Sequence, residues 1–166
     1  TERSQAAKFY LFPGHYCAWN TFVENDAVTK MNESGIKFVE VQVPVYTLDD
    51  LIDNLPDTLE EFHMINNTND KFIINIPQSI GRFKKLEALI FQNCINKLPD
   101  SICTLPELTF LTLRKNSQLR ELPECLGNIE SLLVLNLADS DNAIVPQSVK
   151  DRAHDMGKNI WDFYND

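Results

Sequence analysis

The side chains best suited to chemistry are a few cysteines and histidines scattered along a chain of 166 residues. The cysteines are Cys17, Cys94, Cys103 and Cys125. They form no CxxC motif, and a zinc site would need four well-placed Cys or His ligands. A disulfide framework would need more cysteines at more even spacing. The sequence therefore predicts reduced, buried thiols in a cytosolic protein, with no metal site and no cofactor.

Nucleophilic catalysis is also disfavoured. Cys94 would need a partnered base to act as a nucleophile, and the sequence places none beside it. His15 and Cys17 stand two residues apart, so an extended segment would put both on one side, and a redox or hydrolytic role stays as a minor alternative. There is no glycine-rich phosphate loop. We expect a protein that is not an enzyme.

The charge of the chain narrows the class of partner. Acidic residues outnumber basic ones 24 to 15, for a net charge of −9, which argues against a nucleic-acid binder. A basic protein partner is easier to accommodate. The acidic cluster comprises Asp49, Asp50, Asp53, Glu60 and Glu61. Because Leu48, Leu51 and Leu55 interleave with it as a helix-like stripe, a solvated face is favoured over a catalytic site.

Apolar residues, not catalytic ones, organise the chain. Between Leu86 and Val149 three copies of one pattern carry apolar residues at relative positions one, four and six, then an apolar-Pro pair, then an apolar residue three positions further on. These residues are Leu86, Leu89, Phe91, Leu98-Pro99 and Ile102; Leu108, Leu111, Leu113, Leu122-Pro123 and Leu126; and Leu132, Leu135, Leu137, Val145-Pro146 and Val149. Two irregular copies precede them, and the five starts fall at residues 36, 59, 86, 108 and 132. The second copy is lengthened by an insertion that we place within the sequence NNTNDK.

This spacing predicts a stack of strands. Side chains alternate faces along an extended segment, so positions four and six point into a shared core while position five points away. At position nine a small polar side chain is needed to satisfy the backbone where the chain turns. We assign this role to Asn67, Cys94, Asn116 and Ser140. The proline then suits the segment that runs back from the end of one strand to the start of the next. We call this part of the stack the return side, and there the missing N–H of proline breaks no strand pairing.

With those residues in view, the chain resembles the leucine-rich repeat proteins, whose pattern is LxxLxLxxN/C followed by LPxxIxxL. LPDSICTLPEL and LPECLGNIESL are similar to the LPxxI type found in intracellular Ras-group-related repeats. The resemblance is clear from Ile76 to Val149, weaker from Ile36 to Pro77, and absent from residues 1–35. It implies an α/β fold: a leucine-rich repeat solenoid with a parallel β-sheet on its concave face.

Both flanks of the repeats are predicted to be caps of one single domain, residues 1–166. Residues 1–35 form an N-terminal αβ cap, with a strand from Lys8 to Phe12 and a helix from Tyr16 to Met31. Residues 36–146 hold about five repeats, and residues 147–166 form a capping helix. The apolar stripe of that helix is Val149, Ala153, Met156, Ile160 and Phe163.

The resemblance implies a non-catalytic module that recognises a protein through the concave sheet. The residues we predict to contact the partner are Glu61, His63, Ile65, Ile90, Gln92, Phe110, Thr112, Arg114 and Asn136. One alternative is a stack that carries these residues without a ligand. Another is a structural or targeting subunit that contacts its neighbours through the N-terminal segment and the final helix. The oligomeric state is left open.

The cellular location of the protein is also predicted from the sequence. No apolar run approaches the roughly 20 residues that cross a bilayer, and no signal peptide opens the chain. Asn32-Glu-Ser and Asn66-Asn-Thr match the glycosylation pattern but do not establish secretion. We expect a cytoplasmic protein. The chain begins at Thr1, which is compatible with a fragment of a larger protein.

Overall fold

The computed structural model describes residues 10–12, 16–19, 37–43 and 52–155. Within these residues seven short strands form one sheet in chain order. The strands are β1 (Tyr10–Phe12), β2 (Tyr16–Trp19), β3 (Phe38–Val43), β4 (Glu61–Asn66), β5 (Ala88–Gln92), β6 (Phe110–Thr112) and β7 (Val134–Asn136). β1 runs antiparallel to β2, and every later strand runs parallel to the one before it. The predicted solenoid with a parallel sheet is confirmed.

The register of the sheet matches the repeat frame. Residues at the same relative position of each copy are paired across neighbouring strands. The position-four row, for example, is Val39, Phe62, Leu89, Leu111 and Leu135. All five side chains in that row are buried, between 0% and 2% exposed. Residues that hold the same position in the sequence repeat therefore stack on one another in the core.

The rest of the core follows the same logic. Position one is buried at Leu59, Leu86, Leu108 and Leu132, and position six at Met64, Phe91, Leu113 and Leu137. The apolar residues after the prolines, Ile80, Ile102, Leu126 and Val149, close the core from the return side. Strand and return side thus share one continuous apolar interior, which is the main source of stability in such a stack.

The chain leaves the sheet through the same turn in the last three copies. Position eight adopts a left-handed backbone at Asn93, Lys115 and Asp139, with φ between 55° and 59°. Position nine then turns inward as Cys94, Asn116 or Ser140, each at most 3% exposed. The predicted role of position nine is confirmed for these three residues.

The earlier copy departs from that prediction at Asn67. Asn67 is exposed, and the buried polar residue is Asn66, one position earlier at the end of β4. Its amide donates to the Asp70 carbonyl over 3.0 Å, and its oxygen accepts from the Thr68 backbone N–H over 2.9 Å. The insertion explains this shift. It makes the loop after β4 longer, and the Asn66 side chain bonds within that loop. Burial also removes Asn66 as a candidate for glycosylation in the folded chain.

The insertion lies in the predicted stretch. Residues 67–71 are all exposed, and Ile74 then pairs with Ile95 of the next copy as an isolated bridge. Since Ile95 follows directly after position nine, the extra residues must precede Ile74. The loop therefore bulges outward without disturbing the stack.

The return side is built from short helices. They are the 3₁₀ helices η1 (Ile52–Asn54), η2 (Gln78–Arg82), η3 (Asp100–Thr104) and η4 (Glu124–Asn128), followed by the α-helix α1 (Gln147–Asp155). A proline directly precedes η2, η3 and η4, where a missing N–H costs nothing. In α1, Val149 and Ala153 are buried as predicted. The remainder of the predicted final helix, residues 156–166, lies outside the described residues.

The predicted N-terminal helix is wrong at its start. Tyr16–Trp19 form strand β2, which pairs in parallel with β3 so that Cys17 stands opposite Val39. Tyr and Trp favour strands, and an available sheet edge offers backbone partners that outweigh a weak helical pattern. The predicted strand from Lys8 to Phe12 is confirmed over Tyr10–Phe12. Residues 20–31 lie outside the described residues.

Two arginines each join their own unit to the preceding one through hydrogen bonds. Arg82 donates to the carbonyls of Ile52 and Leu55, both over 2.7 Å, and pairs with the Asp57 carboxylate. Arg152 of α1 donates to the carbonyls of Glu130 and Leu132, over 2.9 and 3.1 Å. Each guanidinium thereby donates to carbonyl groups that lie in or after a short helix of the preceding unit.

The prediction of reduced thiols is wrong for two cysteines. Cys103 in η3 and Cys125 in η4 are joined by a disulfide across consecutive copies. Cys103 directly follows Ile102 and Cys125 directly precedes Leu126, and these two buried residues hold the same position in consecutive copies, so stacking brings the two sulfurs together. Cys94 is a free buried thiol, as predicted.

Candidate protein-binding face

The predicted partner-binding residues come together on the solvent side of the sheet. Position three forms one paired row: Phe38, Glu61, Ala88, Phe110 and Val134. Position five forms the next: Glu40, His63, Ile90, Thr112 and Asn136. Ile65 and Gln92 pair at position seven, and Arg114 follows β6 at the same position. We call these residues the concave face.

Exposure differs along the concave face. Glu61 and Phe110 are exposed, whereas the other predicted contact residues are half-buried, apart from Thr112. Thr112 is only 4% exposed, so it is covered by its neighbours and offers little area to a partner. Phe110, at 36%, presents a large apolar side chain to solvent in the position-three row, between Ala88 and Val134.

The end of the face at β3 and β4 is acidic. His63 lies between two carboxylates, with Nδ1 3.7 Å from Glu40 and Nε2 3.5 Å from Glu61. Phe38 packs edge-on against the imidazole, with 4.4 Å between ring centroids. Glu60 lies beside them, 3.7 Å from the Lys37 ammonium. A cationic group arriving at this end would meet an excess of negative charge.

Burial governs the titration of His63. Desolvation by its neighbours lowers the pKa of His63 below the ordinary value of 6.5, although Glu61 and Glu40 pull it upward. The imidazole is therefore neutral at pH 7, and the charge of the cluster is carried by the two carboxylates.

An apolar area runs along the position-three row from β5 to β7, beside the polar residues Thr112 and Asn136. Phe110 stands between Ala88 and Val134 in its row, and Ile90 lies in the adjacent row. Leu133, directly before β7, is 52% exposed and enlarges this apolar area at the rim. Sequence reasoning missed Leu133, although its signal was present: the equivalent position in the other four copies carries a polar residue, Lys37, Glu60, Glu87 or Thr109.

The catalytic alternatives gain no support from the described geometry. Burial raises the pKa of the Cys94 thiol to about 12, against a smaller opposing effect of a backbone hydrogen bond at Gln92. A thiol in that state is protonated and unreactive at neutral pH. Its Sγ donates to the Met64 carbonyl over 3.5 Å, which is a structural role. His15 lies outside the described residues, and for Cys17 only the backbone is described.

The described residues show neither a metal-binding cluster nor a helix able to span a membrane. In residues 10–12, 16–19, 37–43 and 52–155, no group of three or more His, Cys, Asp or Glu side chains is placed to hold a metal ion. Over the same ranges, no helix combines the length and the apolar character needed to cross a bilayer.

Comparison with known proteins yields one curated relative and one solved structure of note. The mouse leucine-rich repeat and calponin homology domain-containing protein 1 is 33% identical over 78 residues, which are 46% of this chain and 11% of the mouse protein. A leucine-rich repeat protein of Leptospira interrogans superposes with a TM-score of 0.62 at 30% identity, over 87% of this chain and 35% of that one. No family model matches. The chain thus spans only a minor part of either protein, and the LPxxI subtype stays a prediction.

Proposed function

Because the chain is a leucine-rich repeat protein, we propose that it is a non-catalytic recognition module that binds a protein partner through the concave face. One observation carries the proposal: side chains from five consecutive copies stand in register on one open face of the sheet. Such a surface is continuous, and its backbone is held by strand pairing. A rigid platform loses little conformational entropy on binding.

The composition of the face favours protein over other ligands. Its centre is apolar at Phe110 and Ile90, and charged groups flank that centre at Glu61 and Arg114. A dehydrated apolar centre within a polar rim is the usual composition of protein interfaces, in which aromatic residues and arginine contribute most. A small-molecule site would instead need a concave pocket that encloses its ligand.

The charge distribution supports a basic segment in the partner. Glu40 and Glu61 face the solvent side at one end of the sheet, and the neutral His63 between them does not cancel their charge. A Lys or Arg side chain docking there would be attracted over the Debye length, about 8 Å at physiological salt. We propose that the partner sets an apolar side chain on Phe110 and a cationic one near Glu61.

The role of structural or targeting subunit has weaker support. Strand β2 belongs to the same sheet as the repeats, so the described part of the N-terminal segment completes the stack. A contact arm would be expected to stand apart from the stack.

Site-specific photocrosslinking tests the proposal. A benzophenone amino acid is placed at Ile90 or Gln92 on the concave face, and at Asp100 or Asn128 on the return side, in the intact chain. After irradiation in an extract of the source cells, we expect one protein to be crosslinked from both concave positions and from neither return-side position. Crosslinks to the same protein from the return side alone would refute the assignment of the face.

A further inference from the structure

The disulfide occupies a contact that recurs along the return side. In three consecutive copies, the residue after the buried apolar residue that follows the proline meets the residue before the corresponding apolar residue of the next unit. Three such contacts are described: Gly81 with Ser101, Cys103 with Cys125, and Gly127 with Ser148. The outer two are tight, because a Cβ at Gly81 would lie 3.2 Å from the Ser101 Cβ. Only the central contact is covalent among the three.

This contact controls the distance between neighbouring copies on the return side. On the sheet side, backbone hydrogen bonds fix neighbouring strands about 4.8 Å apart. Among the described return-side helices there is no strand ladder, and the spacing depends on how closely these short helices approach each other. The disulfide holds the Cα atoms of Cys103 and Cys125 at 6.0 Å. The ratio of the two spacings sets the local curvature of the stack, directly behind Ile90 and Phe110.

The pair is accessible to redox reagents. Cys103 and Cys125 are both half-exposed, whereas the free thiol of Cys94 is fully buried. Exposure allows a small thiolate to attack the protein disulfide, or a protein thiolate to attack a small disulfide, in line with the S–S bond. Oxidation can therefore act on this pair while Cys94 stays reduced.

We propose that Cys103 and Cys125 form a redox-dependent lock between the two copies that contain β5 and β6. With glutathione disulfide as the oxidant, the thiolate of one cysteine attacks it, one glutathione leaves, and the second cysteine displaces the other glutathione. The protein loses two protons and two electrons in forming one S–S bond, and the oxidant becomes two glutathione molecules. The lock closes in an oxidising compartment and opens where thiols are kept reduced.

Peptide mapping tests the bond itself. The intact chain is equilibrated with glutathione disulfide, alkylated with iodoacetamide without reduction, and digested with trypsin. We expect residues 98–114 and 121–150 to be recovered as one linked pair, since trypsin cuts between them at Arg114, Lys115 and Arg120. Recovery of Cys103 and Cys125 as separate alkylated peptides after oxidation would overturn the proposal.

Thermal melting tests the effect of the lock. The oxidised chain should melt about 5 to 12 °C above the chain reduced with a phosphine, because the crosslink restricts the unfolded state. The control variant Cys103→Gly/Cys125→Ser copies the flanking Gly–Ser contacts, so it should fold and melt at one temperature with or without the phosphine. An equal melting temperature for the oxidised and reduced forms of the unaltered chain would refute a lock. So would a phosphine-dependent shift of the same size in the control variant.

Discussion

The side-chain oxygen of Asn116 lies 3.0 Å from the backbone nitrogen of Cys94, one copy earlier, and accepts its hydrogen bond. The same oxygen accepts from the Ile95 N–H over 3.1 Å, and the Asn116 amide donates to the Phe91 carbonyl over 2.8 Å. Ser140 repeats the relation more simply: its hydroxyl accepts from the Asn116 N–H and donates to the Leu113 carbonyl. A ladder of polar side chains thus joins consecutive turns inside the core.

Asn116→Ala should destabilise the chain by at least about 3 kcal/mol, because it leaves three buried backbone groups without partners. Ser140→Ala leaves two such groups and should cost about 2 kcal/mol. Urea unfolding followed by circular dichroism measures both. Equal stability of the Asn116 variant and the unaltered chain would contradict the ladder.

Leu111 and Phe110 are adjacent in β6 but belong to opposite faces. Leu111 is 0% exposed, so Leu111→Ala should cost about 2 to 5 kcal/mol. Phe110→Ala removes a side chain that is 36% exposed and should cost less than about 1.5 kcal/mol. Thermal melts of the two variants compare them directly. The reverse order of stability would mean that the register of β6 is wrong.

Gly127 and Gly81 differ in what a methyl group would meet. A Cβ at Gly127 would strike backbone atoms of the next unit, including the Val149 nitrogen at 2.6 Å, so α1 would have to shift. At Gly81 the nearest atom is the end of the exposed Thr104 side chain, at 2.9 Å, which can rotate away. Gly127→Ala should therefore cost about 3 kcal/mol and Gly81→Ala about 1 kcal/mol. Chemical denaturation distinguishes these values, and equal costs would argue against the close docking of α1.

Acid should weaken the fold through His63. Its pKa is lowered in the folded chain by burial, so the unfolded chain binds more protons, and stability rises with pH in that range. The contribution is present above the ordinary pKa of 6.5 and is lost as the pH falls through the lower folded value. His63→Gln removes the titrating group. We expect a shallower loss of stability between pH 7 and pH 5 in that variant, measured by urea unfolding, and an unchanged pH profile would contradict the burial of a neutral imidazole.

Spacing in the sequence predicted the part of the fold that depends on periodicity. Leu89, Leu111 and Leu135 recur with the strand, so their burial and pairing followed from position alone. The rows of the concave face followed for the same reason. Whether those rows bind a partner does not follow from periodicity, because recognition depends on the surface of a second molecule.

Contacts between the return-side helices were harder to predict. The Arg82 contacts depend on where η1 places the Ile52 and Leu55 carbonyls, and β2 depends on an edge that only the assembled sheet provides. The Cys103–Cys125 disulfide was within reach, since the two cysteines flank Ile102 and Leu126, which hold the same position in consecutive copies. It was missed because the cysteines were judged as a set for the whole chain and not against the repeat frame.

The most direct test of the concave face is the affinity of the crosslinked partner, once purified, measured by isothermal titration calorimetry. Phe110→Ala/Arg114→Glu should weaken binding at least about 30-fold while circular dichroism shows an intact fold. Ile73→Ala/Lys71→Glu makes the same kind of change on the exposed loop after β4, where Ile73 is 39% exposed, and should bind as the unaltered chain does. Unchanged affinity of the concave-face variant, or an equal loss in the loop variant, would contradict recognition through the concave face.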